Sequence, residues 1–254
     1  MKAYFAFTKK EFTESLRTYK LWIMLAVFFL FGMMSPLFAK LTPEILKSVD
    51  LGGMQFTMPE PTAMDAWKEF FNNIGQMGLL VLVILFAGLM ASEFSRGTLI
   101  NMLTKGLTRH TVIFSKLTAA ILLWTASYLL ALATSYGYTV YFWDMGSLHH
   151  AFFAFFAPWL FGSFLIVLLV LGGVLFQTFS GSLLFTGGVV VILTVLNIVP
   201  KLQKYNPMTL CGDHTTLLTG VKNVSDILPA FIVCALLIVV LTVGAVVVFN
   251  RKQI

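Results

Sequence analysis

Charged side chains are scarce in this chain. Asp, Glu, Lys and Arg supply 11% of its 254 residues, while hydrophobic residues supply 58%. A soluble domain carries about 25% charged residues, and a water-exposed fold of this length has no interior large enough to hide so much apolar surface. With a mean hydropathy of +0.89, the chain reads as an integral membrane protein. Other absences narrow the chemistry. There is no G-x-x-x-x-G-K-[ST] phosphate loop, so the chain has no such device for holding ATP, and there is no H-E-x-x-H or C-x-x-C. Of the two cysteines, Cys211 reads as external and Cys234 as lying within a span, so no structural disulfide is expected. His110, His149, His150 and His214 all fall between the apolar runs, which leaves no axial ligand for a membrane haem. The "CGDH" stretch with Cys211 and His214, and the His149–His150 pair, either hold a soft metal or are solvated loop positions.

Six apolar runs are long enough to cross a bilayer, which takes about 20 residues: 21–39, 74–92, 117–142, 151–176, 183–199 and 227–249. They lack the alternation of a barrel strand and read as helices. The first lies too far from the N-terminus, with the wrong flanks, for a cleaved signal peptide. None holds an ionisable residue in its interior. Ion-coupled transporters place such groups in the membrane, so any uphill transport must draw its energy from outside the chain. The loops containing both termini and residues 91–116 carry eleven basic residues against three acidic ones, and the other loops carry six against eight. The positive-inside rule therefore places both termini and the 91–116 loop in the cytoplasm. The basic excess is accounted for by topology, and no nucleic-acid partner is expected.

Residues 1–20 form a separate feature, an amphipathic helix with Phe5, Phe12, Leu16 and Tyr19 on one face and Lys10, Glu14 and Arg17 opposite. Such a helix lies in the membrane interface, either as a plain basic anchor or as a docking element. Residues 21–254 make a six-helix transmembrane domain. Outside, Thr62 is placed to cap a short helix through Phe71, and residues 200–226 are expected to fold back as short helices against the outer leaflet. Within the spans only small or weakly polar groups stand out. Most serve helix packing, but Thr194 and Asn197 share a face near the outer end of the fifth span and are candidates for a substrate path.

The one long polar interruption is "ASEFSRGTLINMLTKGLTRHTVIFSK", residues 91–116. Thr98 can cap a short helix that Gly106 ends, with Leu99, Met102 and Leu103 on one face and Lys105 near its close. Glu93 and Arg96, three residues apart, can brace its start, and Thr108 can cap the next helix, which carries Arg109 and Lys116. By physics alone this is either an ordered loop or a helix shaped for a partner's groove. The stretch resembles the motif region of ABC type-2 exporter permeases: E-x-x-x-G-T (Glu93, Gly97, Thr98), a short apolar helix with Leu103, then a basic T-R (Arg109) and a following Lys (Lys116). The N-terminal amphipathic helix, the six spans and a long external segment before the last span extend the resemblance over the whole chain.

The resemblance implies an all-α integral membrane protein of six transmembrane helices, with an N-terminal interfacial helix and a cytoplasmic coupling helix in the 93–116 loop. It implies that Glu93, Arg96, Gly97, Thr98, Leu99, Met102, Leu103, Lys105 and Arg109, together with the N-terminal helix, engage a separate ATP-binding subunit. It further implies a second permease copy or a homologue, membrane lipid around the bundle, and a multi-pass location in the cell membrane. The chain itself would bind no cofactor, with ATP and Mg held by the partner. The implied task is export of a hydrophobic or amphiphilic compound. The alternatives are an ATP-independent channel or lipid scramblase, and a non-transport immunity or assembly subunit. The external segment after the first span is too short for a sizeable extracytoplasmic domain.

Overall fold

The computed structural model describes residues 2–48, 60–95, 97–99, 104, 106–212 and 214–252. Among these residues all regular structure is helical. The elements are α1 (Lys2–Arg17), α2 (Lys20–Ser48), α3 (Ala63–Ser95), α4 (Arg109–Phe142), α5 (Ala151–Phe176), α6 (Phe179–Leu196), α7 (Pro200–Gln203), a 3₁₀ turn (Pro207–Cys211), α8 (His214–Leu218) and α9 (Val224–Arg251). Six of them, α2 to α6 and α9, are long and apolar enough to cross a membrane. They match the six apolar runs in order.

α5 is the axis of the bundle. It is apolar on every side, and every residue from Leu160 to Val174 is buried. A helix with no polar face has to be surrounded, and α3, α4, α6 and α9 all pack on it. Close approach depends on small residues. A Cβ on Gly162 would lie 2.6 Å from the Trp124 ring, and one on Gly32 would lie 2.4 Å from the backbone oxygen of Ala131. Dense packing of this kind holds membrane helices together where no hydrophobic effect acts between them. The fifth span is a different case. α6 buries only Ser182 and Thr186 and turns Leu184, Val191, Ile192 and Val195 outward.

One expectation changes. The short helix starting after Thr62 does not stop at Phe71 but runs on as the first part of α3, 33 residues long, with a π-helical turn at Ile74–Gly78. Its start is held as expected: the Asp65 carboxylate accepts from the Thr62 backbone N–H at 2.9 Å and from its hydroxyl at 2.8 Å. The helix continues because its aromatic face has a place to go. Trp67, Phe70 and Phe71 are buried, with Trp67 and Phe71 against Phe155 of α5 at ring-centroid distances of 4.8 and 5.3 Å. The 200–226 segment does form short helices, α7, the 3₁₀ turn and α8, and its apolar residues divide between the protein and the surface, with Leu202 and Val221 exposed. Leu210, Leu217 and Leu218 are fully buried, and the His214 ring stacks on Phe71 at 4.3 Å.

Candidate functional site

The face of α1 that meets the bundle is set by Phe7, Glu11 and Glu14, which recur at helical spacing. Phe7 and Glu11 are buried, with α1 packed along α4. The Tyr4 hydroxyl lies 2.7 Å from that of Thr118, and the Ser115 hydroxyl donates to the Tyr4 carbonyl at 3.3 Å. Phe5, Phe12 and Tyr19 stay exposed and Leu16 half-buried. The expected apolar stripe therefore faces away from the protein, where an interfacial helix keeps its membrane side. On the opposite side Lys10 and Glu14, both partly exposed, join Glu11 toward the protein.

What receives them is an ionic knot. Glu93 comes from the end of α3 and Lys116 from the second turn of α4. The Lys116 ammonium, with its side chain only 2% exposed, lies 2.9 Å from a Glu11 oxygen and 3.0 Å from Glu93. Lys10 reaches Glu93 at 2.8 Å, Glu14 at 2.9 Å and Glu11 at 3.0 Å. The Thr98 hydroxyl donates to the second Glu93 oxygen. Carboxylate oxygens of Glu11, Glu14 and Glu93 gather within 4.8 Å of one another, an arrangement suited to a cation, and the two lysine ammoniums fill it. Burial acts against the Lys10 charge. Its bonds to Glu93 and Glu14 and the nearby Glu11 charge outweigh burial and raise its pKa above 10.5. Burial likewise opposes the Glu14 charge, yet the bond to Lys10 and the Lys10 and Lys116 charges hold its carboxyl below 4.5. Both groups are ionised near neutral pH, and the knot ties α1 to the junction of α3 and α4.

A second set of bonds ties the remaining ends on this face. The Arg109 guanidinium donates to the carbonyls of Phe249, Asn250 and Lys252, the last at 2.6 Å, and so caps α9. Lys252 in turn donates to the Leu175 carbonyl near the end of α5 at 2.6 Å. Orphan carbonyls at a helix end need such partners.

The other sequence candidates fall out as follows. Arg96, Met102, Leu103 and Lys105 lie outside the described residues. Gly97 and Gly106 both have positive φ, 62° and 87°, where glycine carries no steric penalty. Leu99 is buried. Thr98 turns its hydroxyl back to Glu93, and the Glu93 carboxylate is taken up by Lys10, Lys116 and Thr98. Thr108 does stand at the N-cap of α4, but its hydroxyl pairs with that of Thr111 at 2.7 Å. On α6, Thr194 donates to its own helix at Val190, while the Asn197 amide oxygen lies 3.2 Å from the Thr209 hydroxyl, a contact between α6 and the 3₁₀ turn. Cys211 and Cys234 are free thiols. The backbone N–H of His149 donates to Leu218 at 3.0 Å.

Sequence reasoning missed the knot because it counted Glu11 only for topology and placed Lys116 on the next helix and in the motif without giving it a partner. Glu11 and Phe7, four apart on the side away from Phe5 and Phe12, were the available signal.

No curated protein matches the chain. The family model described as ABC-2 family transporter protein matches residues 5–254, which includes α1, both halves of the ionic knot and all six spans. The chain belongs to that family, and is a membrane permease of an ABC-type system, a transport component that is not itself the catalyst and that in this family associates with an ATP-binding subunit.

Proposed function

We propose that this permease is the membrane subunit of an ATP-driven exporter. A separate ATP-binding subunit, holding ATP and Mg, docks on the cytoplasmic loop 93–116 and on the interface helix of residues 1–20, and residues 21–254 form the transport domain. The observation that carries the reading is the ionic knot. Lys10 and Glu11 of α1 are bound to Glu93 and Lys116 at the two ends of the candidate docking loop, and Glu14 pairs with Lys10 beside them. Pressure on that loop is delivered at once to α1, α3 and α4, because a buried charge cannot leave its partner without a large desolvation cost. A stiff joint at this place suits a device that converts closure of a partner into tilting of two spans.

The cargo we infer is hydrophobic or amphiphilic. No span has an ionisable residue in its interior, so recognition rests on shape, aromatic contact and weak hydrogen bonds. The exposed apolar face of α6, with Leu184, Val191 and Val195, gives a second copy or a homologous permease a surface to meet. Thr194 borders that surface, while Asn197 contacts Thr209 of the 3₁₀ turn. Both termini and the docking loop then lie in the cytoplasm.

Met102→Asp places a charge in the proposed docking contact, where an unpaired buried charge is strongly unfavourable. The variant should insert and purify normally but lose its ATP-binding subunit in pull-down from the native membrane. Unchanged co-purification refutes the docking site. Substrate flux through reconstituted permease with no ATP-binding subunit present would favour the channel or scramblase reading instead.

A further inference from the structure

The segment after α6 gathers positive charge beside bare aliphatic side chains. It lies on the membrane face opposite the two termini, a face that is acidic elsewhere. Residues 199–226 carry three lysines against two aspartates, whereas the other loops on that face carry three lysines against six acidic residues. Lys204, just past α7, and Lys222, in the turn before α9, line one cleft of about 230 Å³ together with Pro200, Gln203, Thr209 and Asp226. The cleft sets two lysines against one aspartate, a net positive charge, and two of its polar groups also hold the segment's own fold. Asp226 accepts from the Asn223 backbone N–H at 3.2 Å, which caps α9, and the Thr209 hydroxyl donates to the Gln203 carbonyl at 2.7 Å. Beside the cleft Ile198 and Val221 are each 76% exposed, and Leu202 and Tyr205 are exposed as well.

Aliphatic side chains bared at the end of a span sit against acyl chains, while a lysine on a four-carbon stem carries its amine to the headgroup level. Amines lining the cleft with aliphatics beside it match the two parts of one molecule, an anionic phosphodiester head and its acyl chain. Zwitterionic lipids are matched less well, because their own ammonium offsets the attraction. We propose that this cleft seats an anionic phospholipid of the leaflet opposite the termini, with its phosphate between Lys204 and Lys222. The seat would fasten α7 and the turn before α9 to the bilayer at the point where α6 leaves it. It depends only on the chain's placement in a membrane and stands whether or not an ATP-binding subunit docks on the other face.

The test uses the full-length protein in nanodiscs of phosphatidylcholine mixed with phosphatidylglycerol, with retained lipid identified by native mass spectrometry. Wild type should retain phosphatidylglycerol in preference to phosphatidylcholine. K204Q with K222Q should weaken that retention about thirtyfold, on the basis of roughly fivefold for each lysine at a membrane surface. K204R with K222R should preserve it, and K68Q, a lysine in acidic surroundings on the same face, should leave it unchanged. Equal retention by wild type and by K204Q with K222Q would overturn the proposal. So would displacement of the lipid by inorganic phosphate, which would mark a site for free anions. Retention that follows dimer formation in place of the lysines would assign the surface to a second copy and equally overturn it.

Discussion

Replacing Lys116 by Met removes the centre of the ionic knot and leaves its shape. Lys116 is 2% exposed and touches Glu11 and Glu93 at 2.9 and 3.0 Å, and both carboxylates are themselves buried. Taking away one partner of a buried ion pair typically costs about 3–5 kcal/mol, because the remaining charge has neither water nor counter-charge. Lys10 still reaches both carboxylates, at 3.0 Å for Glu11 and 2.8 Å for Glu93, so the lower end of that range applies. For a chain of this size each kcal/mol moves a thermal midpoint by about 2–4 °C, which puts the expected drop for K116M on the order of 10 °C. The assay is thermal unfolding of the purified permease in detergent, followed by intrinsic tryptophan fluorescence. A compensated variant makes the reasoning testable. E11Q and E93Q added to K116M leave no uncompensated charge, and replacing a whole buried ion network by neutral groups is often near neutral in stability. That triple variant should recover most of the lost midpoint. If K116M melts like wild type, or if the triple variant is no more stable than K116M alone, the knot is not what pins α1 to the bundle.

Three further outcomes are expected. The Glu14 carboxyl is held below 4.5 and the Lys10 ammonium above 10.5, so Glu14 contributes stability above its ordinary value and loses it as pH falls, while Lys10 contributes below its ordinary value and loses it as pH rises. Melting midpoints should therefore be flat between about pH 5 and 10 with respect to these two groups, and E14Q should show a shallower acid decline than wild type; an equal decline would exclude Glu14. Gly32→Val puts a side chain where a Cβ already meets the Ala131 backbone oxygen at 2.4 Å, and overpacking of this kind costs about 1–3 kcal/mol, so a melting midpoint at the wild-type value would contradict the close α2–α4 crossing. Single cysteines at Thr62 and Lys105, in a background without Cys211 and Cys234, should label from opposite sides of intact cells, an impermeant reagent reaching only Thr62; external labelling at Lys105 would reverse or break the proposed topology.

The membrane nature of the chain and the number and order of its spans were legible in the residues because the bilayer is a demanding solvent. A helix that crosses it needs a continuous apolar run, and runs of that length leave little room for misreading. The turn at Gly106 was legible for a local reason, since left-handed backbone there favours glycine. Partner choice across space was not legible. Glu11 and Lys116 are 105 residues apart, and nothing in their neighbourhoods says that one ammonium will bridge Glu11 to Glu93. The same holds for Arg109, which reads as part of the helix after Thr108 and also caps α9, and for the contact of Asn197 with Thr209. The length of α3 was misjudged because its first part looks amphipathic and external until Phe155 of α5 is there to receive Trp67 and Phe71. Local composition determines which segments leave water. Which faces meet, and so which charges can be buried in pairs, is decided only when the helices pack, because desolvation and pairing are properties of the assembled neighbourhood.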